Sequence, residues 1–161
     1  MAEVWIVNSS PLIVLGKAGG LHLLESLASR LIVPRSVAEE IAGGPAADPA
    51  RRWLQHDGAA YVAPHIPVPL VVTALNLGAG ESAVLACALS IAGSEAIIDD
   101  LAARRAAAAL RIPCRGTLAV ILTAKQRGLI PAAAPLFDRV QQAGLFTSAT
   151  LRQQALALVG E

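Results

Sequence analysis

Asn8, Glu40, Glu81 and the pair Asp99-Asp100 are the residues of this 161-residue chain whose types and spacing could do chemistry. Asn8 and Asp99-Asp100 each follow a short apolar run that reads as a strand, Val4–Val7 and Ala96–Ile98, whereas Glu40 and Glu81 fall in segments of helical period. In an open parallel sheet, ligands bind beyond the carboxyl ends of the strands, at the switch point in strand order. Side chains brought there from four segments would share one crevice. Several carboxylates in one crevice repel each other unless a cation neutralises them, and a donor set made only of oxygens selects Mg²⁺ or Mn²⁺ over zinc. Taken singly, each acid has a plainer use. Glu40 or Glu81 can serve a helix dipole, and Asp99-Asp100 can be a helix cap and its neighbour.

The elements that must position these residues alternate strand and helix, the mark of an α/β domain on a parallel sheet. Val4–Val7 is continuously apolar, as suits a strand covered on both faces. Asn8-Ser9-Ser10-Pro11 reads as a strand end passing into a helix, with Ser as the cap and Pro in the first turn. A helix from Leu21 to about Ala28 and a strand at Leu31–Val33 follow, and Ser36 with Glu39 has the form of a capping box for a helix reaching Ala42. Further helices are expected around residues 51–56, 79–92, 101–110 and 117–127, with Thr117 as cap and Gly128 as terminator. Short strands are expected at Tyr61-Val62 and 112–114. From Pro131 only helical segments remain, roughly 132–142 and 148–159, parted by Gly144. The expected organisation is a domain over 1–130 with a helical extension, 131–161, packed on it.

Composition narrows the classes further. With 13 Lys+Arg against 12 Asp+Glu and a net charge of +1, the chain is no polybasic nucleic-acid coat, although local basic patches remain open. A mean hydropathy of +0.57 raises the question of a membrane segment. The best candidate, 82–93, falls short of the roughly 18 apolar residues that a span needs, and the acidic start Met1-Ala2-Glu3 does not read as a signal peptide. Cys87 and Cys114 lie far apart in apolar runs without a CxxC, which reads as core thiols in a reducing cytoplasm. His22, His56 and His65 match no motif and read as surface or packing residues.

The run Trp5-Ile6-Val7-Asn8-Ser9-Ser10-Pro11-Leu12, continuing to Lys17, resembles the opening of a PIN-domain branch whose members are described as predicted nucleic-acid-binding proteins. Matches in the same order follow at Val33-Pro34 with Glu39-Glu40-Ile41, at Leu77-Gly78-Ala79-Gly80-Glu81-Ser82-Ala83, at Ile97-Ile98-Asp99-Asp100 with Ala103-Arg104, and at Gly116-Thr117-Leu118 running to Gly128-Leu129-Ile130. The resemblance spans about residues 4 to 130. It implies a three-layer α/β fold with a short parallel central sheet flanked by helices. Many PIN domains are Mg²⁺- or Mn²⁺-dependent ribonucleases, among them the toxins of VapBC-type toxin–antitoxin pairs.

Carried over by position, the resemblance puts Asn8 where the family has its first Asp, Glu40 at the acid of the early helix, Glu81 at the third acidic place, and Asp99 or Asp100 at the last. Ser9, Ser10 and Thr117 would be the supporting hydroxyls. Lys17, Arg104, Arg105 and Arg115 would hold an RNA backbone electrostatically. The implied partners are RNA, an antitoxin protein and a second copy of the chain, the latter two on the apolar C-terminal helices. The implied place is the cytoplasm, with no membrane.

Asn8 departs from the pattern: it keeps an oxygen donor but loses a negative charge, so a cation is held less tightly. An alternative reading is therefore a weakly active or inactive PIN domain that binds nucleic acid or regulates. A third reading comes from Gly78-Ala79-Gly80-Glu81-Ser82-Ala83, which fits GxGxxA after the apolar run Leu70–Leu75 and has Asp99 about 20 positions on, close to a dinucleotide-binding fingerprint. Against it, Asn76-Leu77 separates that run from the first glycine, and the Asn8-Ser9-Ser10 segment is left unused. A receiver-like phosphoacceptor would need its acid pair after the first strand, where Asn8 stands.

Overall fold

Trp5, Ile6 and Val7 are all 0% exposed, although successive strand residues point to opposite faces of a sheet. The first strand is therefore covered on both sides. In the computed structural model, which describes residues 3–161, the parallel sheet has five strands: β1 (Val4–Val7), β2 (Arg30–Pro34), β3 (Val62–Ala63), β4 (Ser94–Ile97) and β5 (Cys114–Arg115). Met1-Ala2, where the expectation about a leader begins, lie outside the described residues.

The strand order is β3-β2-β1-β4-β5. The chain winds outward from β1 through β2 to β3, then returns to lay β4 on the other side of β1, with Val7 opposite Ile97. The switch point thus falls between β1 and β4. Their carboxyl ends deliver Asn8 and Asp99-Asp100, and the Asn8 N–H continues the ladder by donating to the Ile97 carbonyl at 3.0 Å.

Ten α-helices surround the sheet among the described residues: α1 (Ser9–Ala18), α2 (Leu21–Leu27), α3 (Arg35–Ala42), α4 (Pro49–Gln55), α5 (Leu70–Thr73), α6 (Ala79–Ser90), α7 (Leu101–Ala109), α8 (Thr117–Gln126), α9 (Ala134–Gln142) and α10 (Ala149–Ala157). Helix α6 runs against β1, β2 and β4 and packs on α3, while α2 pairs with α8. Helix α9 packs on α1 and α8, and α10 on α8; Phe137, Val140 and Ala155 join the same core as Trp5 and Ile97. The Glu161 carboxylate closes this C-terminal part by accepting the N–H groups of Ala133 (2.6 Å) and Ala134 (3.2 Å) at the start of α9. Those two donors hold its carboxyl below the usual range.

Two local expectations are corrected. Helix α1 is preceded by Asn8 and α3 by Pro34, neither with a side-chain cap, so neither Ser9 nor Ser36 caps its helix. Ser36 and Glu39 turn instead to His65, whose Nδ1 lies 3.5 Å from Ser36 Oγ and whose Nε2 lies 3.0 Å from Glu39 Oε1. His65 thereby ties the proline-rich loop after β3 to α3. The apolar run Leu70–Leu75, which the dinucleotide reading needs as a strand, forms the short helix α5 and a turn, with Val72 buried. Short apolar runs do not distinguish the two by period. Without that strand, Gly78-Ala79-Gly80 lacks the setting of a dinucleotide fingerprint.

Cys87 is buried and Cys114 half-buried, both are free thiols, and burial pushes both above the usual thiol range. Among the described residues no helix is long and apolar enough to cross a membrane.

Candidate functional site

A cleft of about 710 Å³ opens at the switch point, lined by Asn8, Ser9 and Ser10 from the β1–α1 junction, Glu81 from the first turn of α6, and Asp99-Asp100 from the β4–α7 junction. Four of the five site residues read from the sequence meet on its wall. Glu40, the fifth, stands behind Ser9. Its Oε2 accepts the Ser9 hydroxyl at 2.6 Å, and its Oε1 accepts the Gly80 N–H at 2.8 Å. Of the two serines expected as supporting hydroxyls, Ser9 donates to Glu40.

The glycines that mimic a dinucleotide motif shape this part of the site. A Cβ on Gly80 would lie 2.5 Å from Glu40 Oε2, and one on Gly78 would lie 2.5 Å from Glu81 Oε2. Only a residue without a side chain lets the two carboxylates approach the helix start so closely. A similar approach occurs at Gly116, where a Cβ would lie 3.0 Å from Asp99 Oδ1 and 2.8 Å from Arg104 Nη1.

Asp99 and Asp100 divide their work. Asp100 is the cap of α7, with Oδ2 accepting the Ala103 N–H at 2.9 Å. Asp99 faces the start of α8, accepting the Thr117 N–H at 2.7 Å and its hydroxyl at 2.6 Å. Thr117, expected as a helix cap and as a supporting hydroxyl, is not the cap, since Gly116 holds that position. Its side chain is 0% exposed and its hydroxyl is committed to Asp99.

Asn8 is the unusual member. It is 3% exposed, makes no side-chain cap bond, and its buried Oδ1 has no hydrogen-bond partner. A buried acceptor left alone costs about 1–3 kcal/mol, so this position calls for a donor or a cation. The other oxygen-bearing residues of the cleft wall are Ser9, Ser10, Glu81, Asp99 and Asp100, a set of types that suits Mg²⁺ or Mn²⁺. No group of three or more acidic, His or Cys side chains converges on one point among the described residues. A Mg²⁺ ion keeps several waters and takes only one or two carboxylates, so the donors fit such an ion and do not form a closed cage.

The four basic residues separate. Arg104 is exposed, flanks Asp99 across Gly116, and makes no ion pair among the described residues. Arg105 is exposed on α7. Arg115 is engaged within the protein: it forks onto Glu95 at 2.6 and 3.2 Å, reaches Thr123 Oγ1 at 3.2 Å, and stands 5.7 Å over the Trp5 ring. Lys17 lies in the last turn of α1, away from the cleft lining. At 1.5 Å per residue that is about 12 Å along the helix from Ser9.

Sequence reasoning missed one wall of the cleft. Ala143, Gly144, Leu145 and Phe146, between α9 and α10, return to the strand ends, as does Leu101 of α7. The only signal was Phe146, an aromatic residue in the connection between two helices, in a chain with 3% aromatics.

A short parallel central sheet flanked by helices is the fold that the motif series implied, and the structure has it. A family model described as PIN domain matches residues 4–161, so the match extends through the C-terminal helices. The chain belongs to the PIN-domain family. That membership points to nuclease-type chemistry and nucleic-acid binding, in a family that generally uses divalent metals. No curated protein matches the chain.

Proposed function

We propose that this protein is a Mg²⁺- or Mn²⁺-dependent ribonuclease that hydrolyses RNA phosphodiesters in the cleft between β1 and β4. The observation that carries the reading is the partnerless Oδ1 of buried Asn8 in a cleft whose wall also holds Glu81, Asp99 and Asp100. When bound, the metal supplies neutralisation at the scissile phosphate and activates the attacking water. Asn8, Glu81 and Asp99 are the residues that would hold it. Glu40, fixed by Gly80 and Ser9, keeps the β1–α1 junction in place beside Asn8. Thr117 holds Asp99 in one orientation through two donors. Arg104, next to Asp99, faces the backbone of the bound strand, with Arg105 further along α7.

We place the protein in the cytoplasm, in keeping with its two free thiols. We also read it as the toxin of a toxin–antitoxin pair. The surface for an antitoxin or for a second copy is the groove of about 540 Å³ walled by Leu118, Leu122, Leu151 and Leu158. End-group analysis of RNA products tests the chemistry. Attack by water leaves a linear phosphate, whereas a 2′,3′-cyclic phosphate would mean attack by the ribose hydroxyl and would contradict a metal-activated water.

A second reading, nucleic-acid binding without turnover, is favoured by Asn8 itself, which supplies no charge where a carboxylate would. It predicts RNA binding that survives while cleavage is absent.

A further inference from the structure

Phe146 is 94% exposed, the most exposed large hydrophobic residue described. Its segment is nonetheless anchored. The preceding Leu145 is half-buried against the core, and its N–H donates to the Val140 carbonyl at 3.0 Å. Gly144, at φ +115°, makes the turn that a side chain would resist. The chain thus buries one apolar residue of the pair and holds the other in solvent at the cleft.

Two surfaces meet at Phe146. On one side it shares the cleft with Asn8, Glu81, Asp99 and Leu101, the last itself 60% exposed. On the other it lines, together with Arg104 and Asp99, the groove whose leucines are read above as a partner surface. A ligand that satisfies both must carry an anionic group for Arg104 and for a cation at the acids, joined to a flat apolar face. A nucleotide of a single strand has that form, because its base is unstacked and every base has a π-face. A duplex offers no free base face to this position.

We propose that Phe146 is a positioning residue that stacks a base of single-stranded RNA at the rim of the cleft, with Leu101 as a second apolar surface. The proposal rests on the reading of the cleft as an RNA site. Stacking of this kind sets the register of the strand, and so the phosphate presented to Glu81 and Asp99.

The test is binding of a fluorescent single-stranded RNA octamer by wild type, Phe146→Ala and Phe146→Trp, measured by anisotropy with Ca²⁺ present, beside octamers carrying one abasic ribose at each position in turn. Circular dichroism and gel filtration check fold and oligomeric state. Phe146→Ala is expected to weaken binding at least about fivefold, the lower end for a lost stacking contact. Phe146→Trp is expected to retain binding and to show quenched indole emission on RNA. At one position the abasic octamer should bind wild type and Phe146→Ala alike. If Phe146→Ala binds as wild type does, or changes oligomeric state and not RNA affinity, the proposal is overturned while the RNA site stands. Cleavage of the same octamer with Mn²⁺ separates the two ideas. An inert wild type with a Phe146-dependent affinity keeps the stacking and removes turnover; a wild type that neither binds nor cleaves overturns both.

Discussion

Asp99 accepts both the backbone N–H and the hydroxyl of Thr117, at 2.7 and 2.6 Å, across the gap between the end of β4 and the start of α8. The pair fixes the carboxylate where it lines the cleft, and it joins two elements that flank the switch point. Hydrogen bonds to a charged group contribute about 1.5–3 kcal/mol. Thr117→Val is expected to lose that amount in denaturant unfolding and to reduce RNA cleavage about tenfold or more. Thr117→Ser should keep most of both. Equal losses in the two variants would show that Thr117 matters for packing and not for Asp99.

Gly80 makes a different prediction. In Gly80→Ala the new methyl meets the far end of a flexible Glu40 side chain, so the carboxylate swings away. Alanine also favours the helix by about 0.5–1 kcal/mol. The helix gain offsets only part of the two lost bonds to Glu40, so Tm should fall by several degrees, and cleavage falls because Ser9 and Gly80 lose their shared acceptor. Unchanged cleavage would detach Glu40 from the site.

Asn8→Asp tests what the orphaned oxygen is for. A carboxylate at a 3% exposed position beside other acids raises repulsion in the metal-free protein. The variant should lose about 2 kcal/mol or more without metal, a fall of roughly 5 °C in Tm. Added Mn²⁺ should restore it, and Mn²⁺ affinity by calorimetry should exceed that of wild type about tenfold. Destabilisation that Mn²⁺ does not relieve would argue against a cation at this place.

A pH dependence follows from Glu161. Its carboxyl is lowered by the N–H groups of Ala133 and Ala134, so the folded state binds its proton less readily than the unfolded one. The contribution is complete above the ordinary glutamate value of about 4.3 and fades as pH falls through the lowered value. Amide exchange at Ala133 and Ala134, corrected for its intrinsic rate, should be slow near pH 6 and faster near pH 3. Glu161→Gln should exchange quickly at both.

The sheet was legible in the sequence because β1 is an unbroken apolar run and because Asn8 and Asp99 stand just beyond strand ends. The gathering of Asn8, Glu81 and Asp99-Asp100 followed from that placement. The partners of the acids were not legible. Ser36 and Glu39 satisfy the spacing of a capping box yet bond to His65, 26 residues beyond Glu39. Gly78 and Gly80 satisfy a phosphate-binding spacing yet clear space for carboxylates from two helices. Such contacts join residues distant in the chain, and local spacing carries no record of them. Arg115 shows the same limit, since its engagement by Glu95 depends on β4 and β5 being neighbours.

The measurement that bears most directly on the central claim is cleavage of a labelled single-stranded RNA by the purified protein with Mn²⁺, beside Glu81→Gln, Asp99→Asn and an EDTA control. The account predicts cleavage by wild type, its abolition in EDTA, and a loss of about a hundredfold or more in each variant whose fold is intact by circular dichroism. Cleavage that persists in EDTA or in both variants would contradict a metal-dependent site between β1 and β4.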